Sequence, residues 1–138
     1  MAAKMEARVQ WLNDLTFVAT SGSGHQVVMD GNKGEHAPSP MEMVLMAAGS
    51  CASVDVVSIL QKAKQDVRHC EVKVTGERAD AVPAVYTDIH LHFVVTGQAV
   101  KASHVERAVS LSAEKYCSVS IMLGHCARVT HSFEIIEI

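Results

Sequence analysis

Residues 38–64 read P-S-P-M-E-M-V-L-M-A-A-G-S-C-A-S-V-D-V-V-S-I-L-Q-K-A-K. Ser39 and Glu42 form an S-x-x-E capping box, with Pro40 at the first helical position. From Met43 to Ala48 every residue is apolar. A helix that is apolar around its whole circumference is enclosed by protein rather than laid on a surface. The stretch therefore predicts one long buried helix that fades between Lys64 and Asp66. Cys51 sits near its middle, flanked by the small residues Gly49, Ser50, Ala52 and Ser53, so a reactant can approach the sulfur.

Upstream, three β-rich runs, Met5 to Leu12, Leu15 to Thr20 and His25 to Met29, are separated by Asn13-Asp14 and Ser21-Gly22-Ser23-Gly24. They predict a three-stranded antiparallel meander. Downstream, Val67 to Glu77 and Val85 to Thr96 predict two further strands. In the second, Ile89, Leu91, Phe93 and Val95 alternate with Asp88, His90 and His92. Ser103 and Glu106 repeat the capping-box spacing and open a second helix through Val105, Ala108, Val109, Ala113 and Tyr116. Whether it runs on past Cys117 or breaks and restarts is open from the pattern. Gly124 is the expected C-cap, and Val129 to Ile138 forms a last strand. The order βββ-α-ββ-α-β is an α+β layout, expected as a single domain over residues 1–138. One small sheet cannot cover so apolar a first helix, so an intertwined homodimer is expected, with two long helices at its centre.

Composition removes several functional classes. The net charge of −3 and the absence of a Lys/Arg block argue against a nucleic-acid partner. No uninterrupted apolar run reaches about 18 residues, so no membrane span is expected. The N-terminal residues lack the apolar core of a signal peptide, and a cytoplasmic protein is expected. In that compartment thiols stay reduced, so Cys51, Cys70, Cys117 and Cys126 are not a structural disulfide framework by default. Their spacing contains no C-x-x-C.

Free cysteine is among the most buried residue types, and packing alone accounts for either Cys51 or Cys117. If the two meet in one core, a specific chemistry follows. A thiolate attacks a peroxide oxygen and becomes a sulfenic acid, and a neighbouring thiol traps it as a disulfide. Asp55 lies one turn after Cys51, where a bare carboxylate opposes thiolate formation; pairing with a basic group is the alternative. Glu42 lies about 180° round the helix from Cys51 and roughly 13 Å along it, and the capping box accounts for it. Arg8, Arg107 and Arg128 are the candidate activating cations, or surface arginines. His90 and His92 form an H-x-H without an evident third metal ligand, and read as two histidines on a solvent face.

The segment A-P-S-P-M-E-M-V-L-M-A-A-G-S-C-A-S-V-D-V-V, followed by E-K-Y-C-S-V, resembles the OsmC/Ohr superfamily, and most closely its YhfA-type branch. The resemblance covers essentially the whole chain. It implies an OsmC-like fold whose strand meanders are swapped across a homodimer, with a site at each interface. It also implies thiol-dependent reduction of organic hydroperoxides. Cys51 matches the peroxidatic cysteine and Cys117 the resolving one. A dihydrolipoyl-type dithiol would recycle the disulfide, with no metal or organic cofactor. Two positions depart from the well-characterised peroxidases. Met41 follows the motif proline, with the acid one residue later at Glu42, and the turn Leu12-Asn13-Asp14-Leu15 carries no arginine. Arg8 is the candidate substitute. The alternative function is a non-catalytic dimer that binds a small molecule or senses oxidants.

Overall fold

The computed structural model describes residues 4–138. Its element order is β1 (Ala7–Asn13), β2 (Thr16–Ser21), β3 (Gln26–Asp30), α1 (Pro40–Lys62), β4 (Asp66–Arg78), β5 (Tyr86–Gln98), α2 (Ala102–Leu111), a π-helical turn (Ser112–Tyr116), α3 (Ser118–Leu123) and β6 (Arg128–Glu137). This is the expected α+β order, with the second helix broken into three pieces. The chain divides into two compact units, one ending at Val44 and one running from Leu45 to Ile138.

The first unit is the antiparallel meander β1-β2-β3 and the start of α1. Asp14 turns the first hairpin at φ 45°, a left-handed conformation that Asp tolerates better than most residues. The Trp11 indole N–H donates to the Asp14 carbonyl at 2.8 Å. After β3 the chain folds around Asp30, whose carboxylate accepts the backbone N–H of Asn32 at 2.8 Å and of His36 at 2.9 Å. Those donors, Asn32 first, hold the Asp30 carboxyl below its usual pKa. The capping box forms as the sequence predicts. Glu42 N–H donates to Ser39 Oγ at 3.2 Å, and Ser39 N–H donates to Glu42 Oε1 at 2.9 Å. Every residue of β1 is exposed, Trp11 by 66%.

In the second unit the sheet order is β4-β5-β6, with β4 antiparallel and β6 parallel to the central β5. A parallel pair needs a long crossover, and α2, the π turn and α3 supply it. Ile89, Leu91, Phe93 and Val95 of β5 are buried, as their alternation predicts. Val105, Ala108 and Val109 of α2 and Val56 and Leu60 of α1 complete that core. Gly49 lets α1 approach β4 closely. A Cβ there would lie 2.9 Å from Val74 Cγ2 and 3.1 Å from Val72 Cγ1.

Three expectations are modified by the structure. The burial of α1 is partial within one chain, in keeping with the expectation that one small sheet cannot cover it. Only the stripe Ala48, Gly49, Ala52, Val56 and Leu60 is buried, and Met46 and Val54 are exposed. A three-stranded sheet and one crossover cover a single side of a helix. By length and composition α1 is also long and apolar enough to cross a membrane, although no unbroken apolar run is that long; the core helix of a soluble protein passes the same test. Second, the Ser103–Glu106 box is not made. Lys101 is the N-cap of α2, without a side-chain cap, and its N–H donates to Gln65 Oε1 at 2.9 Å. Third, His90 and His92 are half-buried and fully engaged, not free on a solvent face.

Candidate functional site

Cys51 lies half-buried in the middle of α1, between the buried residues Ala48 and Ala52. Cys117 arrives by a less regular route. After α2 the helix widens by one residue into the π turn, closed by Cys117 N–H donating to the Ser112 carbonyl at 2.8 Å. Cys117 then adopts an extended conformation, φ −78° and ψ 98°, and becomes the N-cap of α3. The helix therefore breaks and restarts at the second cysteine, and Gly124 caps α3 in a right-handed conformation.

The two thiols are neighbours in the second unit, Cys51 lying close enough to act on the Cys117 thiol. Both sulfurs are free, and Cys117 is completely buried. Burial is the largest influence on Cys117 and pushes its thiol pKa up. Cys51 adds to that rise, through its nearness and the repulsion between two like charges. Ser120 works the other way through its side chain and its backbone. Its hydroxyl oxygen accepts the Cys117 S–H at 3.1 Å, and its N–H donates to Cys117 Sγ at 3.4 Å.

A second link runs parallel to the first. Ser112, buried at the start of the π turn, donates its hydroxyl to Asp55 Oδ2 at 3.0 Å. On α1, Cys51 and Asp55 are one turn apart; on the facing segment, Ser112 and Cys117 bracket one π turn. Asp55 thus meets a hydroxyl, where the sequence suggested a basic partner. Ser112 and Ser120 were not singled out by sequence reasoning. The signal for Ser120 was its place three residues after Cys117, the offset at which an N-cap side chain meets a backbone donor.

Glu42 is exposed, and its carboxylate is held by the Ser39 N–H in the first unit. Arg8 is exposed on β1 opposite Thr20. Arg107 is exposed on α2, and Arg128 lines a surface cleft of about 340 Å³ with Glu77, Asp88, His90 and Thr130. Cys70 lies on β4, its thiol pKa pushed up by burial, and Cys126 is exposed after α3.

His90 and His92 belong to a continuous ladder between β5 and β6. His90 Nδ1 meets Thr130 Oγ1 at 2.7 Å, and its Nε2 meets Ser132 Oγ at 2.8 Å. The same hydroxyl meets His92 Nδ1 at 2.7 Å, and His92 Nε2 meets Glu134 Oε1 at 2.9 Å. Among the described residues, no group of three or more His, Cys, Asp or Glu is placed to hold a metal ion.

Comparison with known proteins fits this geometry into a family. Protein YhfA of Escherichia coli (strain K12) is 60% identical over 132 residues, which cover 96% of this chain and 98% of YhfA. The crystal structure of a hypothetical protein from Aquifex aeolicus VF5 superposes with a TM-score of 0.90 at 30% identity, covering 99% of both chains. An organic hydroperoxide resistance protein OsmC from Legionella pneumophila shares the fold at a TM-score of 0.71 and 14% identity, covering 97% of this chain and 98% of its own. Residues 31–132 match the family model for OsmC-like proteins, and with the YhfA identity this shows that the chain belongs to the OsmC-like family.

Proposed function

We propose that the chain is a thiol-dependent reductase of organic hydroperoxides, with Cys51 as the attacking sulfur and Cys117 as the resolving one. The observation that carries this reading is that the two thiols are neighbours, Cys51 acting on the Cys117 thiol. The Cys51 thiolate takes the terminal oxygen of ROOH, giving Cys51 sulfenic acid and the alkoxide, which leaves as ROH after protonation. Cys117 attacks the sulfenic sulfur, an S–S bond forms, the S–O bond breaks, and water leaves with the Cys117 proton. A small dithiol of the dihydrolipoyl type returns the disulfide to two thiols and is itself oxidised to a disulfide. No metal or organic cofactor enters this cycle.

The working form we propose is a homodimer in the cytoplasm. Support comes from apolar surface the single chain leaves open: Val9 and Trp11 on β1, and Met46 and Val54 on α1, exposed by 54–69%. Surface of that kind on a soluble chain calls for a partner. Arg8 and Glu42 are the candidate activating cation and acid.

The test is steady-state turnover of cumene hydroperoxide with dihydrolipoamide, beside Cys51→Ser and Cys117→Ser. Cys51→Ser should abolish turnover. Cys117→Ser should stop after one oxidation per chain and hold a sulfenic acid that dimedone captures. Arg8→Ala and Glu42→Gln should slow the first step if those side chains serve it. Stoichiometric oxidation of the wild type without recycling by any dithiol would replace this reading with an oxidant sensor.

A further inference from the structure

We propose that Ser120 is the positioning residue of the resolving thiol, its hydroxyl accepting the proton of Cys117 at rest and donating to the sulfur once that proton has gone. The inference deepens the hydroperoxide cycle and rests on it for the role of Cys117.

The geometry is bilateral. One residue presents two groups to one sulfur: the Ser120 hydroxyl oxygen at 3.1 Å and the Ser120 N–H at 3.4 Å. The N–H can only donate. The hydroxyl carries one hydrogen and two lone pairs on a freely rotating bond, so it serves either charge state of its neighbour. With Cys117 protonated, the S–H points at Oγ. With Cys117 ionised, the hydroxyl turns, and the sulfur accepts from two donors. Cys117 is fully buried and Ser120 is 6% exposed, so water does not substitute readily for either donor.

This pair of donors addresses a specific difficulty of the cycle. Thiol–disulfide chemistry proceeds through the thiolate, and a fully buried sulfur resists ionisation. In the resolving step Cys117 loses its proton as it bonds to the Cys51 sulfur, and that proton leaves in the water formed from the sulfenic hydroxyl. In the reducing half, a dithiol thiolate attacks Cys51, the S–S bond breaks, and Cys117 departs as a thiolate. The reductant's second thiol then releases Cys51, and the two protons of the dithiol end on the two cysteines. Cys117 is a transient anion in both halves, and Ser120 stabilises it in both.

Other ionisable groups do not fill this role. Cys51 on α1 acts on Cys117 in the opposite sense. Asp55 on α1 is taken by Ser112, and Glu114 and Lys115 on the π turn are exposed.

The deciding experiment is a pulse of iodoacetamide across pH on the full chain, with alkylation of the Cys117 peptide read by mass spectrometry. It needs no peroxide. Ser120→Ala should raise the midpoint of Cys117 labelling and cut its rate at neutral pH by about tenfold or more, the range for a lost hydrogen bond to a charged group. Ser120→Thr keeps the hydroxyl and should restore the wild-type profile. An unmoved midpoint in Ser120→Ala, or a Thr variant that behaves like Ala, overturns the proposal. A second arm adds one equivalent of cumene hydroperoxide and follows sulfenic acid and disulfide separately. Ser120→Ala should form the Cys51 sulfenic acid at the wild-type rate and resolve it about tenfold more slowly. If the wild type forms no Cys51–Cys117 disulfide, the resolving role falls with the hydroperoxide cycle, while the labelling profile still decides what Ser120 does to Cys117.

Discussion

The Ser112 hydroxyl donates to Asp55 Oδ2 at 3.0 Å, and the Ser112 carbonyl accepts the Cys117 N–H at 2.8 Å. One residue therefore fastens the π turn to α1 and fixes where the turn ends, which is at the second sulfur. Ser112→Ala removes the Asp55 link and keeps the backbone bond. The expected cost is about 1–3 kcal/mol, the value of a buried hydrogen bond to a charged acceptor. Urea denaturation measures it. Because the π turn then loses a fixed point beside Cys51, disulfide formation after one equivalent of peroxide should also slow. An unchanged denaturation midpoint would show that Ser112 does not anchor the turn.

Gly49 sets the other boundary of the site. It lies two residues before Cys51, and its missing Cβ leaves room for the Val72 and Val74 side chains of β4. Gly49→Ala gains intrinsic helix propensity of about 0.5–1 kcal/mol. Against that stands overpacking of about 1–3 kcal/mol, since the nearest methyl would be only 2.9 Å away and must move. The net expectation is destabilisation. Adding Val74→Ala to the variant should recover more of that loss than the two single changes imply, and a double-mutant cycle in urea reads this coupling.

Asp30 and Cys117 each contribute to the pH dependence of stability, beside Asp66 on the acid side and Cys70 on the alkaline side. Asp30 is held below the ordinary carboxyl value of 3.8, mainly by the Asn32 and His36 N–H groups. Its contribution is present above 3.8 and disappears as pH falls through the lower folded value. Asp30→Asn should thus differ from wild type at neutral pH and converge with it in acid. Cys117 lies above the ordinary thiol value of 9.0 because it is buried and faces Cys51. The folded state favours its neutral form, so that contribution is present below 9.0 and is lost as pH rises toward the folded value. Cys117→Ala should make the alkaline limb shallower, whatever its constant offset, the remainder belonging to Cys70. Urea midpoints from pH 3 to pH 10.5 test both signs.

Sequence pattern was informative where the deciding interactions are local. The Ser39–Glu42 box spans four residues and forms as written. The alternation along β5 is a property of one strand. The Ser103–Glu106 repeat of the box shows the limit: the same spacing is unused because Gln65, remote in sequence, holds the Lys101 N–H and starts α2 earlier. The π turn was illegible for a related reason. Widening a helix by one residue leaves its apolar spacing almost intact, and the Asp55–Ser112 bond that accompanies it joins distant segments. The apolar circumference of α1 indicated burial by more than one small sheet, and this chain covers only one stripe. For the site, the pattern supplied two cysteines and a family resemblance; the neighbouring hydroxyls became visible only once α3 was seen to start at Cys117.

The ladder between β5 and β6 supplies a prediction from proton counting. Glu134, when ionised, can only accept, so His92 Nε2 carries a hydrogen. A neutral His92 then presents a bare Nδ1, to which the Ser132 hydroxyl donates, leaving its oxygen to accept from His90 Nε2. His90 Nδ1 in turn accepts from Thr130. Each hydroxyl hydrogen has one place to go, and both tautomers are set by a single carboxylate. Ser132→Ala deletes the central hydroxyl and strands two half-buried ring nitrogens. The expected loss is about 1–3 kcal/mol. Glu134→Gln tests the directionality instead of the packing, because its side chain can either donate or accept and the constraint on tautomer is lifted. Imidazole nitrogen shifts by NMR should show His92 protonated on Nε2 in the wild type and a mixed tautomer in Glu134→Gln. A wild-type His92 protonated on Nδ1 would break the chain at its first link.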